Sequence, residues 1–381
     1  MKRITKIRFF SLLLAVLLLT SLCGCGSAPQ KSGLGNGWEI ESVMPLSYAT
    51  QFSVATYAGG YKLITLADGG RFLVVPEGSD APGRIARDIV VLRQPLSNIY
   101  LAATSAMCLI DALGALPRVT LSGTRADGWY NENARAAMEQ GSLRYAGKYS
   151  EPDYELILSS GCALAVESTM IGHTPEVKEK LEELGVPVLV DQSSQEKHPL
   201  GRTEWIKLYG ALLGREAEAD ARFQKQEEAL RQASLTSTGK TVAFFYISTG
   251  GSVVARKSGD YVSKMIELAG GEYVFRDLGD PEASSSTVAL EMEQFYATAK
   301  DADCIIYNST IGGELRSLDA LLAKSSLLSD FKAVRAGNVW CTGKNLFQET
   351  TELGAMILDI NRMLTNDDPA LSKLEFLYKL Q

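Results

Sequence analysis

The chain has 381 residues, 46% of them hydrophobic and 22% charged, with a formal charge of −7 at neutral pH. That length fits two domains on a prior of about 150 residues each, and the composition is that of a globular chain with real cores. The acidic balance argues against nucleic-acid binding, and two histidines, His173 and His198, are too few for the imidazoles that a bare zinc or manganese site recruits.

Four cations (Lys2, Arg3, Lys6, Arg8) precede an apolar run from Phe9 to Leu22. The run is shorter than the ~20 residues of a membrane span and has the profile of an export signal. Its removal would take the formal charge from −7 to −11. The run ends in "LLLTSLCGCGSAPQ", where Leu22-Cys23-Gly24 before Cys25 resembles a bacterial lipobox. That resemblance implies a signal peptide over 1–24, lipidation of Cys25, and an extracytoplasmic protein anchored to a bacterial membrane. Cys23 fits the pattern less well, and an ordinary secretory signal with incidental cysteines is the alternative. The following "GSAPQKSGLGNG" reads as a flexible tether, 25–37.

From Trp38 to Gly78 short β-prone runs alternate with Gly-Gly and Asp-Gly-Gly turns, as in an antiparallel ribbon. "RIARDIVVL" then reads as a strand, "RQPLSN" as a loop, "IYLAATSAMCLIDALGAL" as a helix and "RVTLSG" as a strand. After the helix "NENARAAMEQG", a helical turn leads into the apolar strand of "EPDYELILSSGCALAVESTM", and "TPEVKEKLEELGVPVLVDQSS" reads as an amphipathic helix and a strand. Such alternation predicts a parallel sheet covered on both faces. Residues 217–233 lack Gly and Pro and are rich in helix formers, predicting a rod of about 25 Å. The second half repeats the first: "KTVAFFYIS" strand, "GDYVSKMIELAGG" helix, "EYVF" strand, then "LEMEQFYATAKDADCIIYNST" with the same closing Ser-Thr, and a helix and strand in "LDALLAKSSLLSDFKAVRAGNVWCTG".

The predicted fold class is therefore α/β: two similar lobes, each with a central, mainly parallel sheet, joined by one long linking helix, with an added N-terminal β ribbon. The expected boundaries are 38–213 for the first lobe with its ribbon, 214–236 for the linking helix and 237–381 for the second lobe. Cys108, Cys162, Cys304 and Cys341 each sit in an apolar run and read as buried small hydrophobes; one disulfide is allowed and is not predicted.

Ligands of parallel α/β sheets bind at loops on the carboxyl ends of strands. The expected loops are 93–98, 124–131, 167–171 and 192–202 in the first lobe, and 248–261, 276–286, 308–313 and 342–348 in the second. They supply the candidate ligand-binding residues Ser97, Asn98, Arg125, Trp129, Tyr130, Thr169, His198, Arg202, Arg256, Tyr261, Lys344 and Phe347. Aromatic faces suit flat or greasy chelates, and arginines make bidentate bonds to carboxylate or catecholate oxygens, so the expected ligand is a bulky organic anion. Plainer readings exist: Trp129 and Tyr130 as part of a helix cap, Arg202 paired with Glu204, and His198 as a satisfied loop residue.

"LSNIYLAATSAMCLIDALG", "KEKLEELGVPVLV", "EWIKLYGALLGREAEA" and "GDYVSKMIELAGGEYVF" resemble the substrate-binding proteins of ABC importers, in the class with a rigid linking helix that serves ferric siderophores, haem and vitamin B12. The resemblance runs from about Arg84 to Leu364; "SSGCALAV" replaces the family's usual Lys-Pro-Asp-Leu, and the front ribbon is an addition. It implies a partner permease with its cytoplasmic ATPase, no covalent cofactor, and a ferric siderophore or related chelate as cargo. A corrinoid or haem is the alternative, and a surface lipoprotein binding another partner is a third reading. It further implies that Glu155 in "PDYELIL" and Glu293 in "MEQFY" dock on the permease, where the plain alternative is two N-terminal helix carboxylates. No Gly-x-Ser-x-Gly, P-loop or His-Glu-x-x-His motif occurs, and "GLGNG" lies in the tether, so an enzyme is not expected.

Overall fold

The computed structural model describes Leu34 and residues 38–233, 237–280, 286–368 and 370–381. The expected signal peptide, Cys25 and nearly all of the tether lie outside the described residues, as do the last three positions of the expected linking helix and 281–285 of one expected cleft loop.

Five strands open the chain: β1 (Ile40–Val43), β2 (Phe52–Tyr57), β3 (Tyr61–Leu66), β4 (Arg71–Val75) and β5 (Ile89–Arg93), hydrogen bonded in that order. Side chains alternate across the sheet. Phe52, Val54, Ile64, Phe72 and Val74 enter the main core, while Tyr57, Leu63, Leu73 and Val75 form a smaller core of their own with Leu34 and Ile89. The added element is thus a sheet, larger than the expected ribbon. β5, expected to open the first lobe, instead pairs parallel with β4 and completes this sheet.

The first lobe begins at β6 (Ile99–Leu101), three residues expected to be helical. Burial decides the matter: β6 is wholly covered between two parallel neighbours, and the helix α1 (Thr104–Ala112) starts only beyond it. The lobe continues with β7 (Val119–Ser122), α2 (Glu132–Glu139), β8 (Arg144–Tyr145), the small hairpin β9 (Gly147–Lys148) and β10 (Glu151–Pro152), α3 (Tyr154–Ser159), β11 (Leu164–Ser168), α4 (Pro175–Glu183) and β12 (Val188–Asp191). Its sheet runs β12-β11-β6-β7-β8 and is parallel throughout.

Helices α5 (Pro199–Glu204), α6 (Ile206–Leu213) and α7 (Glu216–Gln232) follow. Gly214 adopts φ 66 as the left-handed cap of α6, the conformation a glycine takes most readily. The expected linking helix corresponds to α7, whose 17 residues give about 25 Å. The second lobe contains β13 (Thr241–Ile247), β14 (Val253–Arg256), α8 (Tyr261–Leu268), β15 (Glu272–Tyr273), β16 (Thr287–Leu290), α9 (Met292–Ala299), β17 (Cys304–Tyr307), α10 (Ser309–Gly312), α11 (Leu318–Leu322), α12 (Lys332–Arg335), β18 (Val339–Thr342), α13 (Leu353–Thr365) and β19 (Leu377–Lys379). β13, β15, β17 and β18 are parallel, and β14, β16 and β19 add antiparallel pairings.

Helix α13 lies tight on α7. A side chain at Gly354 would collide with the Gln226 carbonyl, and the Gln226 amide donates to Glu352 Oε2 at 2.8 Å while its oxygen accepts from Ala355 N at 3.1 Å. A second clamp holds the segment 47–51 on the first lobe. The fully buried Glu204 accepts from the backbone N–H of Ser47 at 2.9 Å and of Tyr48 and Ala49 at 2.8 Å, and from Lys207 Nζ at 3.0 Å. Glu196 accepts from Thr50 N at 2.9 Å, and from Gln51 N and Trp205 Nε1 at 3.0 Å. Glu204 is therefore committed to the strap and Lys207, and the alternative that it pairs with Arg202 is corrected. The four described cysteines are free thiols.

Candidate functional site

The two lobes enclose a cleft of about 510 Å³, within the roughly 300–1,000 Å³ of small-molecule sites. Of the twelve candidate residues, Thr169, Arg202, Arg256, Tyr261 and Phe347 line it together. Arg202 projects from α5, which starts at the His198 cap. Its Nη2 donates to Ser194 O at 2.6 Å and its Nε to Glu196 O at 3.3 Å, and its guanidinium lies 3.8 Å from the ring centroid of Tyr261 in the other lobe. No carboxylate stands within ion-pair distance of Arg202 among the described residues. Burial pulls its pKa below the ordinary arginine value, and the neighbouring Arg256 adds to that pull.

Arg256, at the end of β14, is 7% exposed. Its Nη1 donates to Ser286 Oγ at 3.2 Å and lies 3.6 Å from Asp260 Oδ2, and its guanidinium sits 4.8 Å from the Phe347 ring. Asp260 also caps α8, accepting from Val262 N at 2.9 Å. Across the cleft Asp191 accepts from Ser193 N at 2.8 Å and from the Tyr209 hydroxyl, and burial raises its pKa. Asp260 is matched to Arg256, which leaves the Arg202 guanidinium as a cleft cation without an ion pair among the described residues. Hydroxyls of Thr104, Ser105, Ser168, Ser194 and Thr287 line the walls.

The other candidates lie elsewhere. Ser97 and Asn98 precede β6, and Ala163 N donates to Asn98 O at 3.1 Å, so they occupy the amino edge of the sheet, opposite the cleft. Thr104 and Ser105 hold the cleft end of that strand. Trp129 is fully buried, its Nε1 donating to Ser122 Oγ at 3.1 Å. Arg125 is exposed and stacks on Tyr145 at 4.1 Å. Lys344 is exposed, 3.9 Å from Glu314. His198 accepts from Leu200 N through Nδ1 at 3.1 Å and stacks on Tyr48 at 4.3 Å; burial lowers its pKa. Tyr130 joins the lobes through its backbone: its N–H donates to Gln348 Oε1 at 2.8 Å while Gln348 Nε2 donates to Gly128 O at 2.8 Å. A further link between lobes runs from Thr203 Oγ1 to Thr350 O at 2.8 Å.

The cleft is also lined by residues outside the expected loops, Thr104, Ser105, Asp191, Tyr246, Thr287, Thr350 and Leu353, and by Asp260, which lies within the expected loop 248–261 but is not among the candidates. The first two were hidden by taking β5 for the lobe's opening strand. Asp191 and Tyr246 sit within runs read only as strand, although a carboxylate ending "VLVD" marks the carboxyl edge of a buried strand.

Next to the cleft-lining Ser168, Glu167 is fully buried with neither carboxyl oxygen hydrogen bonded among the described residues. Burial pushes its pKa from 4.5 up to about 8. The phenols of Tyr100 and Tyr154 feel its charge. The folded chain holds this proton more tightly than the unfolded chain, so the contribution to stability is full below pH 4.5 and declines as the pH rises toward 8. Glu167→Gln, which cannot ionise, is expected to remove that decline. Its urea midpoint should exceed the wild-type value at pH 8 by more than at pH 4.5, whereas an equal gap at both would show that Glu167 does not titrate in this window.

Two α/β lobes enclosing a cleft of arginines, aromatic rings and hydroxyls have the architecture of a binding protein. The chain belongs to the periplasmic binding protein family, whose profile matches residues 105–346. An uncharacterized lipoprotein of Methanocaldococcus jannaschii is 23% identical over 375 residues, covering 88% of this chain and 87% of that protein. The fold is shared with a periplasmic heme binding protein from Pseudomonas aeruginosa, at TM-score 0.57 and 17% identity over 75% of this chain and 98% of that one. It is shared also with the periplasmic vitamin B12 binding protein of Vibrio cholerae, at TM-score 0.51 and 18% identity over 71% and 98%. No described helix is long and apolar enough to cross a membrane.

Proposed function

We propose that this protein is the extracytoplasmic substrate-binding component of an ABC importer, capturing a metal-chelate nutrient and delivering it to a membrane permease. The observation that carries the reading is the half-buried Arg202 cation, with no carboxylate at ion-pair distance among the described residues, set beside Arg256 in a cleft between the lobes. A partly desolvated guanidinium gains most from an anionic oxygen that satisfies its remaining N–H groups. A ferric siderophore or other iron complex is the first choice of cargo, and a corrinoid or haem the second. Cys25 is the proposed lipid anchor, in keeping with the lipoprotein relative.

Glu155 and Glu293 are the proposed docking residues. Each is exposed in the first turn of the helix preceding an interior strand of its lobe, α3 before β11 and α9 before β17. Charges at an interface rim govern approach and register more than affinity. Reversing both to arginine is expected to abolish uptake by cells and leave ligand affinity unchanged; persistent uptake would sink the docking role.

The cargo is tested by a thermal-shift screen of the full chain against ferric siderophores, haem, cobalamin and bare metal ions. A ligand at 100 times its Kd adds about 2.7 kcal/mol, so one chelate should raise the Tm and the bare ions should not. A response to the bare ions alone would overturn the chelate reading.

A further inference from the structure

One interior strand of each lobe, β11 and β17, ends alike. β11 continues as Glu167-Ser168-Thr169-Met170, and β17 is followed by Asn308-Ser309-Thr310-Ile311. Each strand is flanked by two parallel neighbours. Glu167 and Asn308, the first residue of each quartet, are fully buried and carry polar atoms without a partner among the described residues, both carboxyl oxygens in one and Nδ2 in the other. The last residue of each is the reverse, a large apolar side chain left in solvent: Met170 is 46% exposed and Ile311 54%.

Single exposed apolar residues need no explanation. Here the large apolar side chains exposed among the described residues are Val43, Leu158, Met170, Ile311 and Leu327, and two of the five stand at equivalent strand ends, one per lobe, lining the same cleft. We propose that Met170 and Ile311 are paired apolar lips that grip an apolar face of the ligand from opposite lobes, selecting amphipathic anions over wholly hydrophilic ones. The polar end of such a ligand lies toward Arg202 and Arg256. This inference rests on the chelate reading above and narrows it.

The test uses the full chain and four probes titrated by intrinsic fluorescence: haem, cobalamin and an iron(III) tris-catecholate, which carry apolar faces, and ferric citrate, which carries none. The variants are Met170→Ser with Ile311→Ser, and Met170→Leu with Ile311→Leu. The wild type is expected to favour an apolar-faced probe over ferric citrate. The serine pair should weaken that probe about 10- to 100-fold through lost apolar burial, and the leucine pair should retain it. Both sites are exposed, so folding is not at issue, and an unchanged Tm without ligand verifies this. If the serine pair binds the favoured probe within twofold of wild type, or ferric citrate binds as tightly as any other probe, the lips are refuted while the chelate reading stands. Should the wild type bind no probe, both fall together. Unchanged binding with lost cellular uptake would make Met170 and Ile311 contacts of the permease and overturn the proposal.

Discussion

Arg202→Ala is expected to weaken binding of the chelate found by thermal screening by two orders of magnitude or more, with little change in the Tm of the ligand-free protein. Truncating one member of a buried, hydrogen-bonded charge pair costs about 2–5 kcal/mol, and in the complex the other member would be the ligand's anionic group. The side chain is held for this by two carbonyls of its own lobe, Ser194 O and Glu196 O, and by the Tyr261 ring of the other. Arg202→Lys keeps a cation and loses the planar fork, so its affinity should fall between wild type and alanine. Tyr261→Phe keeps the ring and serves as the control with near-native affinity. Calorimetric titration reads all three, and native-like binding by the alanine variant would remove Arg202 from the site.

Glu204→Ala is expected to destabilise the fold by about 3–5 kcal/mol, the usual result of removing one partner from a buried ion pair. The alanine leaves the N–H groups of Ser47, Tyr48 and Ala49 without their acceptor and strips Lys207 of its carboxylate. Among the described residues Lys207 would retain Pro45 O at 3.2 Å and the face of Phe223 at 4.6 Å. Against a total stability of about 5–15 kcal/mol, that is a large fraction, visible as a lowered urea midpoint. Glu204→Gln keeps one acceptor oxygen and should cost less. A loss below about 1 kcal/mol for alanine would mean that the strap finds other acceptors.

Helix α7 was legible because 217–233 contains neither Gly nor Pro, a composition with few other outcomes. The duplicated plan was legible too, through the Ser-Thr pairs at the ends of β11 and β17. What misled was length. β6 has three residues between the turn at Pro95 and helix α1, too few for any periodicity to register, and the longer β5 took its place. That shift carried Ser97 and Asn98 into the expected site and left Thr104 and Ser105 out of it. Trp129 failed differently: its indole finds Ser122 Oγ inside the lobe, a pairing that no local pattern announces. Residues placed by their position after a buried strand, such as Thr169, Arg202 and Phe347, reached the cleft because strand order and not local sequence put them there.

The loop bearing Leu346 and Phe347 continues the second lobe's β18, yet Gln348 fastens it to Gly128 and Tyr130 of the first. This part of the cleft lining is thus held by both lobes, set before any cargo arrives. Its ordering belongs to folding and not to binding, so an incoming molecule meets a finished socket in a single encounter. Discrimination between cargoes then resides in how long each one stays, with little difference in how quickly each one enters.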